Sequence, residues 1–232
     1  MSIQYAVTVA TRRYEQRLRA QTADATRRRV LDAVYEQLRE APAQPVSVDR
    51  IARSAGVARS TIYVIFGSRA GLFDAFAADL LERGGFRRVL DAVADPDPRV
   101  SLRDGVTGGV HTFAAHRDVT RALVSMAALD ADAVGGAMQR SDQRRAKGMM
   151  RLARRLAKAG LLREGLTAKQ AADRLWVITS FDAFDLLYSG RGLSADEVAC
   201  VLVDAAQRSV LAGFEPAREP ENVGRSRGSR RR

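Results

Sequence analysis

Residues 46–72 read VSVDRIARSAGVARSTIYVIFGSRAGL, and the fold turns on this stretch. Val48, Ile51, Ala52 and Ala55 stand at i, i+3, i+4 and i+7, the spacing of a short helix with one apolar face, and Ser47 sits where an N-cap belongs. Gly56 interrupts the pattern; glycine enters a left-handed turn without a steric penalty, so the helix ends there. A second helix is expected almost at once. Ile62 and Phe66 lie one turn apart on its inner side, while Arg59, Ser60, Tyr63 and Val64 gather on the other. Arginine can fork onto guanine or grip a phosphate, hydroxyls can reach either, and an apolar group can touch a thymine methyl. Helix, glycine turn and helix with a polar outer face form the helix-turn-helix pattern.

The run from Ser47 through Ala52, then Gly56-Val57, Thr61, Tyr63, Phe66, Arg69 and Leu72, resembles the DNA-binding domain of the tetracycline-repressor (TetR) family of one-component regulators. The tail Tyr63-x-x-Phe66-x-Ser68-Arg69-x-x-Leu72-Phe73 is its more specific part. Two positions depart from the family pattern: Lys is usual where Arg69 stands, and a polar residue such as His is frequent where Ile65 stands. The resemblance implies an all-α protein with an N-terminal three-helix helix-turn-helix domain followed by a helical ligand-binding and dimerisation domain. It further implies a homodimer, a double-stranded DNA operator and a small apolar or amphipathic effector that releases a repressor. On this reading Arg59, Ser60, Thr61, Tyr63 and Val64 meet bases and nearby phosphates. Ser47 and Arg69 position the head, with Ser68 and Arg69 opening a fourth helix over a phosphate; the alternative for Arg69 is an ion pair with a nearby acid.

The remaining chain divides as a basic extension over residues 1–21, the head over 22–70, a helical domain over 71–214 and a basic, disordered tail over 215–232. A first helix is expected from Thr22 or Asp24 to Glu40, ended by the prolines of APAQP. Beyond the DPDPR turn at 95–99 the apolar residues recur at three and four, giving helices near 100–116, 119–129, 133–159, 168–189 and 195–213. Thr167 with Gln170 and Ser194 with Glu197 have capping-box spacing. The last two helices carry more apolar surface than one small core needs, which suits a pairing with a second copy.

Composition narrows the function. The 232 residues carry a net charge of +11, and 46% are hydrophobic, enough for a core. Residues 1–21 hold four Arg against one Glu and 215–232 hold six Arg against three Glu, so the termini are expected to supply most of the excess. A sequence-tolerant architectural DNA-binder acting through those termini is the alternative reading. The single cysteine, Cys200, and the absence of a secretory or membrane-spanning segment suit a cytoplasmic protein. Catalysis finds no support: His111 and His116 are five apart, Asp182 and Asp185 read as helix-edge charges or selectors of ligand polarity, and no nucleophile elbow, phosphate loop, metal or cofactor motif is present. Phe113, Met126, Met138 and Trp176 are the candidates to line an effector pocket.

Overall fold

The computed structural model describes residues 3–42 and 44–213, with side chains from Gln21 onward. The tail at 215–232 therefore lies outside the described residues, as do the side chains of 1–20. Eleven α-helices make up the described chain: α1 (Ile3–Glu40), α2 (Val48–Ala55), α3 (Arg59–Phe66), α4 (Arg69–Arg83), α5 (Arg87–Val93), α6 (Pro98–Ala115), α7 (Arg117–Leu129), α8 (Gly136–Lys158), α9 (Ala168–Ile178), α10 (Phe181–Tyr188) and α11 (Ala195–Val210), with one π-helical turn at Ala131–Gly135.

Three boundaries differ from expectation, each for a local reason. Helix α1 begins at Ile3, not at Thr22 or Asp24. No glycine or proline falls between residues 3 and 40 to stop the helix, and the Thr22 carbonyl accepts from Thr26 Oγ1 at 2.8 Å within it. The helix expected at 168–189 breaks at Thr179-Ser180. Ser180 Oγ accepts from the Ala183 amide at 3.1 Å and opens α10, while Arg145 donates to the Trp176 carbonyl and to Thr179 Oγ1, closing α9. Asp130 Oδ1 accepts from the Ala133 amide at 3.1 Å and starts the π turn, which delays α8. Both capping boxes form as the spacing predicts.

Two apolar cores result. The first joins Val30, Val34 and Leu38 of α1 with Ile51, Ile62, Leu72, Phe73 and Phe76, and continues into Val119, Leu123 and Met126 of α7 and Val134 of the π turn. Full burial of Phe73 and Phe76 contributes roughly 1.5–3 kcal/mol each. The second gathers α6, the distal half of α8 and α9 to α11 around Leu102, Leu156, Leu175 and Phe184. Where α4 meets α6 the approach is very close: a Cβ at Gly84 would stand 2.8 Å from the Thr112 carbonyl oxygen. The head is thus packed against the helices that follow it, not strung from them. Among the described residues no helix is long and apolar enough to cross a membrane.

Candidate nucleic-acid interface

Local chemistry builds the α2–α3 unit. Ser47 is extended and its Oγ accepts from the Arg50 amide at 3.4 Å, capping α2. Gly56 takes φ +65°, and the amides of Gly56 and Val57 close onto the carbonyls of Arg53 and Ala52 at 3.1 and 3.0 Å, a Schellman ending that needs a residue without Cβ. Ile62 and Phe66 then turn into the core and fix the roll of α3, with the Arg27 guanidinium 4.8 Å above the Phe66 ring.

That roll decides which side chains are free. Ser60 and Val64 face solvent, and Val64 is 85% exposed, an unusual position for a branched apolar side chain. Arg59 is exposed and held between helices: Nη1 donates to Asp49 Oδ1 at 3.2 Å and Nη2 to Tyr63 Oη at 3.4 Å. The Tyr63 hydrogen bond, and then the Asp49 charge, raise the Arg59 pKa above its ordinary value, so it stays cationic. Thr61 is half-buried. Tyr63 is less free than its place in the sequence suggests, since it is half-buried and packs against the first core. Ile65 also packs there, which accounts for an apolar residue at that position.

Arg69 takes the ion-pair alternative, with an acid remote in sequence. Ser68 does cap α4, its Oγ accepting from the Gly71 amide at 3.0 Å, but the Arg69 guanidinium turns to an acid of the following domain. Its Nη2 stands 2.6 Å from Asp130 Oδ2 and its Cζ lies 5.6 Å from the Phe73 ring centroid. Its Nε is buried without a partner among the described residues. No feature of residues 46–72 foretells this, because Asp130 comes from the far side of the chain.

The candidate ligand residues do not converge. Met126 is buried in the first core and Met138 packs half-buried against it. Phe113 belongs to the second core, edge-on to Phe181 with centroids 5.4 Å apart. Trp176 is 40% exposed, lies under the Arg145 guanidinium at 4.9 Å, and forms the wall of an open cleft of about 470 Å³ with Gln139, Asp142, Gln143 and Ala146. Asp185, read as an edge charge, is instead buried and shared by Arg117 (2.5 and 3.1 Å), Arg121 and Ser189 Oγ (2.6 Å), tying α7 to α10. Burial alone would raise its pKa; the three donors outweigh it and hold the carboxyl well below the usual range. His116 is drawn into a second tie, its Nδ1 2.9 Å from Tyr35 Oη across the α1–α7 contact.

The model for the bacterial regulatory proteins of the tetR family matches residues 30–76, the segment that comprises most of this head. The head is therefore of the TetR type. Solved structures agree on the fold over nearly their whole length. NalD of Pseudomonas aeruginosa, the secondary repressor of the MexAB-OprM multidrug efflux pump, is 23% identical, with 84% of this chain and 100% of NalD covered and a TM-score of 0.64. SmeT in complex with triclosan is 20% identical over 86% of this chain and 99% of its own, with a TM-score of 0.65. A TetR family transcription regulator from Marinobacter aquaeolei is 17% identical over 83% and 98%, with a TM-score of 0.61. Among curated proteins nothing matches the chain.

Proposed function

We propose that a homodimer of this chain represses transcription by placing α3 of each copy in successive major grooves of a near-palindromic operator, and that a small apolar or amphipathic molecule releases it. The observation that carries the reading is the outer face of α3. Val64 is almost wholly exposed beside Ser60 and Arg59, a pairing of one apolar group with two polar ones that suits a thymine methyl and its neighbours. Thr61 and the Tyr63 hydroxyl lie beside them as near-phosphate contacts, and Ser47 fixes the entry of α2.

Pairing of two copies is supported by apolar side chains left in solvent on the last helices: Trp176 and Val177 on α9, Leu186 on α10 and Val201 on α11. A released repressor is supported by the company the fold keeps, since NalD is described as a repressor and SmeT was solved with triclosan bound. Phe113, Met126, Met138 and Trp176 remain the residues proposed to sense an effector, with Phe113 and Trp176 offering the most accessible ring surface.

The test begins with selection of bound fragments from the source genome by the full chain. Footprints on the selected fragment should show two protected half-sites about one helical turn apart. Val64→Ser and Ser60→Ala alter only exposed atoms and should lose the preference while sedimenting as the parent does. A footprint that both variants reproduce unchanged defeats the assignment of α3. Triclosan serves as the first effector probe, with loss of the footprint as the expected response.

A further inference from the structure

The largest block of positive charge lies in neither terminus. Helix α8 carries eight basic residues and one acid, Asp142, so this one helix outweighs both basic termini together. Six of the cations, Arg140, Arg144, Lys147, Arg151, Arg154 and Lys158, are spaced four, three, four, three and four residues apart and so share one stripe of the helix, about 27 Å long. All six are exposed, and the opposite face holds the buried Leu152, Ala153 and Leu156. Among the described residues only Arg140 has an acidic partner, Asp74 at 2.8 Å. Like charges at these spacings repel, and no acid interrupts the row.

We propose that this stripe is a second DNA-contacting surface, one that takes the phosphate backbone of the duplex flanking the operator without reading its sequence. Its position favours that occupant. Asp130 pairs with Arg69 and Arg140 pairs with Asp74, so the start of α8 is pinned to the first two turns of α4, beside the head. The stripe starts there, at the first core, and runs along α8 toward the second. Four of its six members are arginines, whose planar fork matches phosphate oxygens. An anionic membrane fits less well, since α8 buries its apolar face and has none to insert. An acidic protein fits less well too, because the row contains no aromatic or aliphatic anchor around which a dry interface could form.

This inference rests on the head being the end of the molecule that meets DNA, and its test separates the two. The full chain is titrated by fluorescence anisotropy against a random-sequence duplex of about 40 base pairs over a range of NaCl concentrations. The combined variant Arg144→Gln, Lys147→Gln, Arg151→Gln, Arg154→Gln should lower the slope of log affinity against log salt by about 3 to 4, close to 0.9 for each phosphate no longer neutralised. The charge-preserving variant Arg144→Lys, Arg151→Lys, Arg154→Lys should keep the parent slope. A glutamine variant within one unit of the parent slope overturns the proposal, as does a lysine variant that falls as far as the glutamine one. Vesicles of phosphatidylglycerol and phosphatidylcholine in equal parts, and polyglutamate, are titrated alongside. Stripe-dependent binding to either, with the DNA slope unmoved, assigns the surface elsewhere and overturns it as well. If the slope falls but no genomic fragment is ever selected, the reading of α3 fails and the stripe stands.

Discussion

Arg69, at the first turn of α4, is held 2.6 Å from Asp130, at the end of α7, so the residue expected to touch a phosphate is already occupied by a carboxylate of the domain behind it. On the proposed reading of the head, DNA and Asp130 compete for one guanidinium. Substituting Asp130→Asn keeps the oxygen that caps the Ala133 amide and removes only the charge. The expected outcome is tighter operator binding with a salt slope steeper by about one, because one more cation becomes available. The cost to the fold should stay under about 1 kcal/mol, since both side chains are partly in water. An unchanged slope in the same titration would show that Arg69 stays on the protein side.

A second tie crosses the same boundary. Tyr35 Oη and His116 Nδ1 are 2.9 Å apart, the rings meet edge-on at 5.4 Å, and the Arg83 guanidinium lies 5.5 Å from the Tyr35 centroid. His116 Nε2 is buried without a partner among the described residues, so the Tyr35 hydroxyl is the histidine's main polar anchor. Tyr35→Phe keeps the ring and deletes the hydroxyl. Urea denaturation should report a loss of about 1 kcal/mol, the usual worth of one such bond. No loss would mean that water replaces the phenol without penalty.

How much of this could be read from the chain alone follows from the range of the forces. The α2 cap, the Gly56 turn, Ser68 and the two capping boxes are set by residues three or four apart, and each is where the sequence places it. The ties are not of that kind. Asp130 meets Arg69, His116 meets Tyr35, and Arg117 with Arg121 meet Asp185 across 61 to 81 residues, and nothing in the local pattern marks any of these as partners. Trp176, a candidate pocket wall by its size, lies on the surface because α9 ends two residues later and rolls its other face into the core. The α8 stripe is legible in principle; charge counted by helix, not by terminus, reveals it.

The packing of α4 on α6 can be probed by one carbon atom. At Gly84 a new Cβ meets Thr112 Cγ2 and its carbonyl oxygen, both at 2.8 Å, and the carbonyl belongs to a helix backbone that cannot swing aside. Gly84→Ala should destabilise by about 1–3 kcal/mol, the range for overpacking. Gly109, inside α6, has open space around the same position, so Gly109→Ala should be neutral or stabilising by up to about 1 kcal/mol through helix propensity. Equal thermal shifts for the two variants would mean that α4 and α6 separate freely, and that the close approach is not a constraint on how the head is held.

Asp185 makes the stability of the helical domain depend on acid. Its folded pKa is depressed below the unfolded value of about 3.9, so the stabilisation is fully present above that value and is lost as pH falls toward the folded pKa. Arg117 and Arg121 keep their place beside it; the Asp185 hydrogen bond, followed by that of Asp118, raises the Arg117 pKa further. Asp185→Asn leaves two guanidiniums facing a neutral amide. At pH 7 the variant should be less stable by about 3 kcal/mol, the lower end for breaking a buried pair because both arginines are partly screened by water. Below about pH 4 the parent should lose stability faster than the variant, so that their denaturation midpoints converge. Parallel curves across that window would place the stabilising interaction in the packing of α7 on α10 and not in the charge of Asp185.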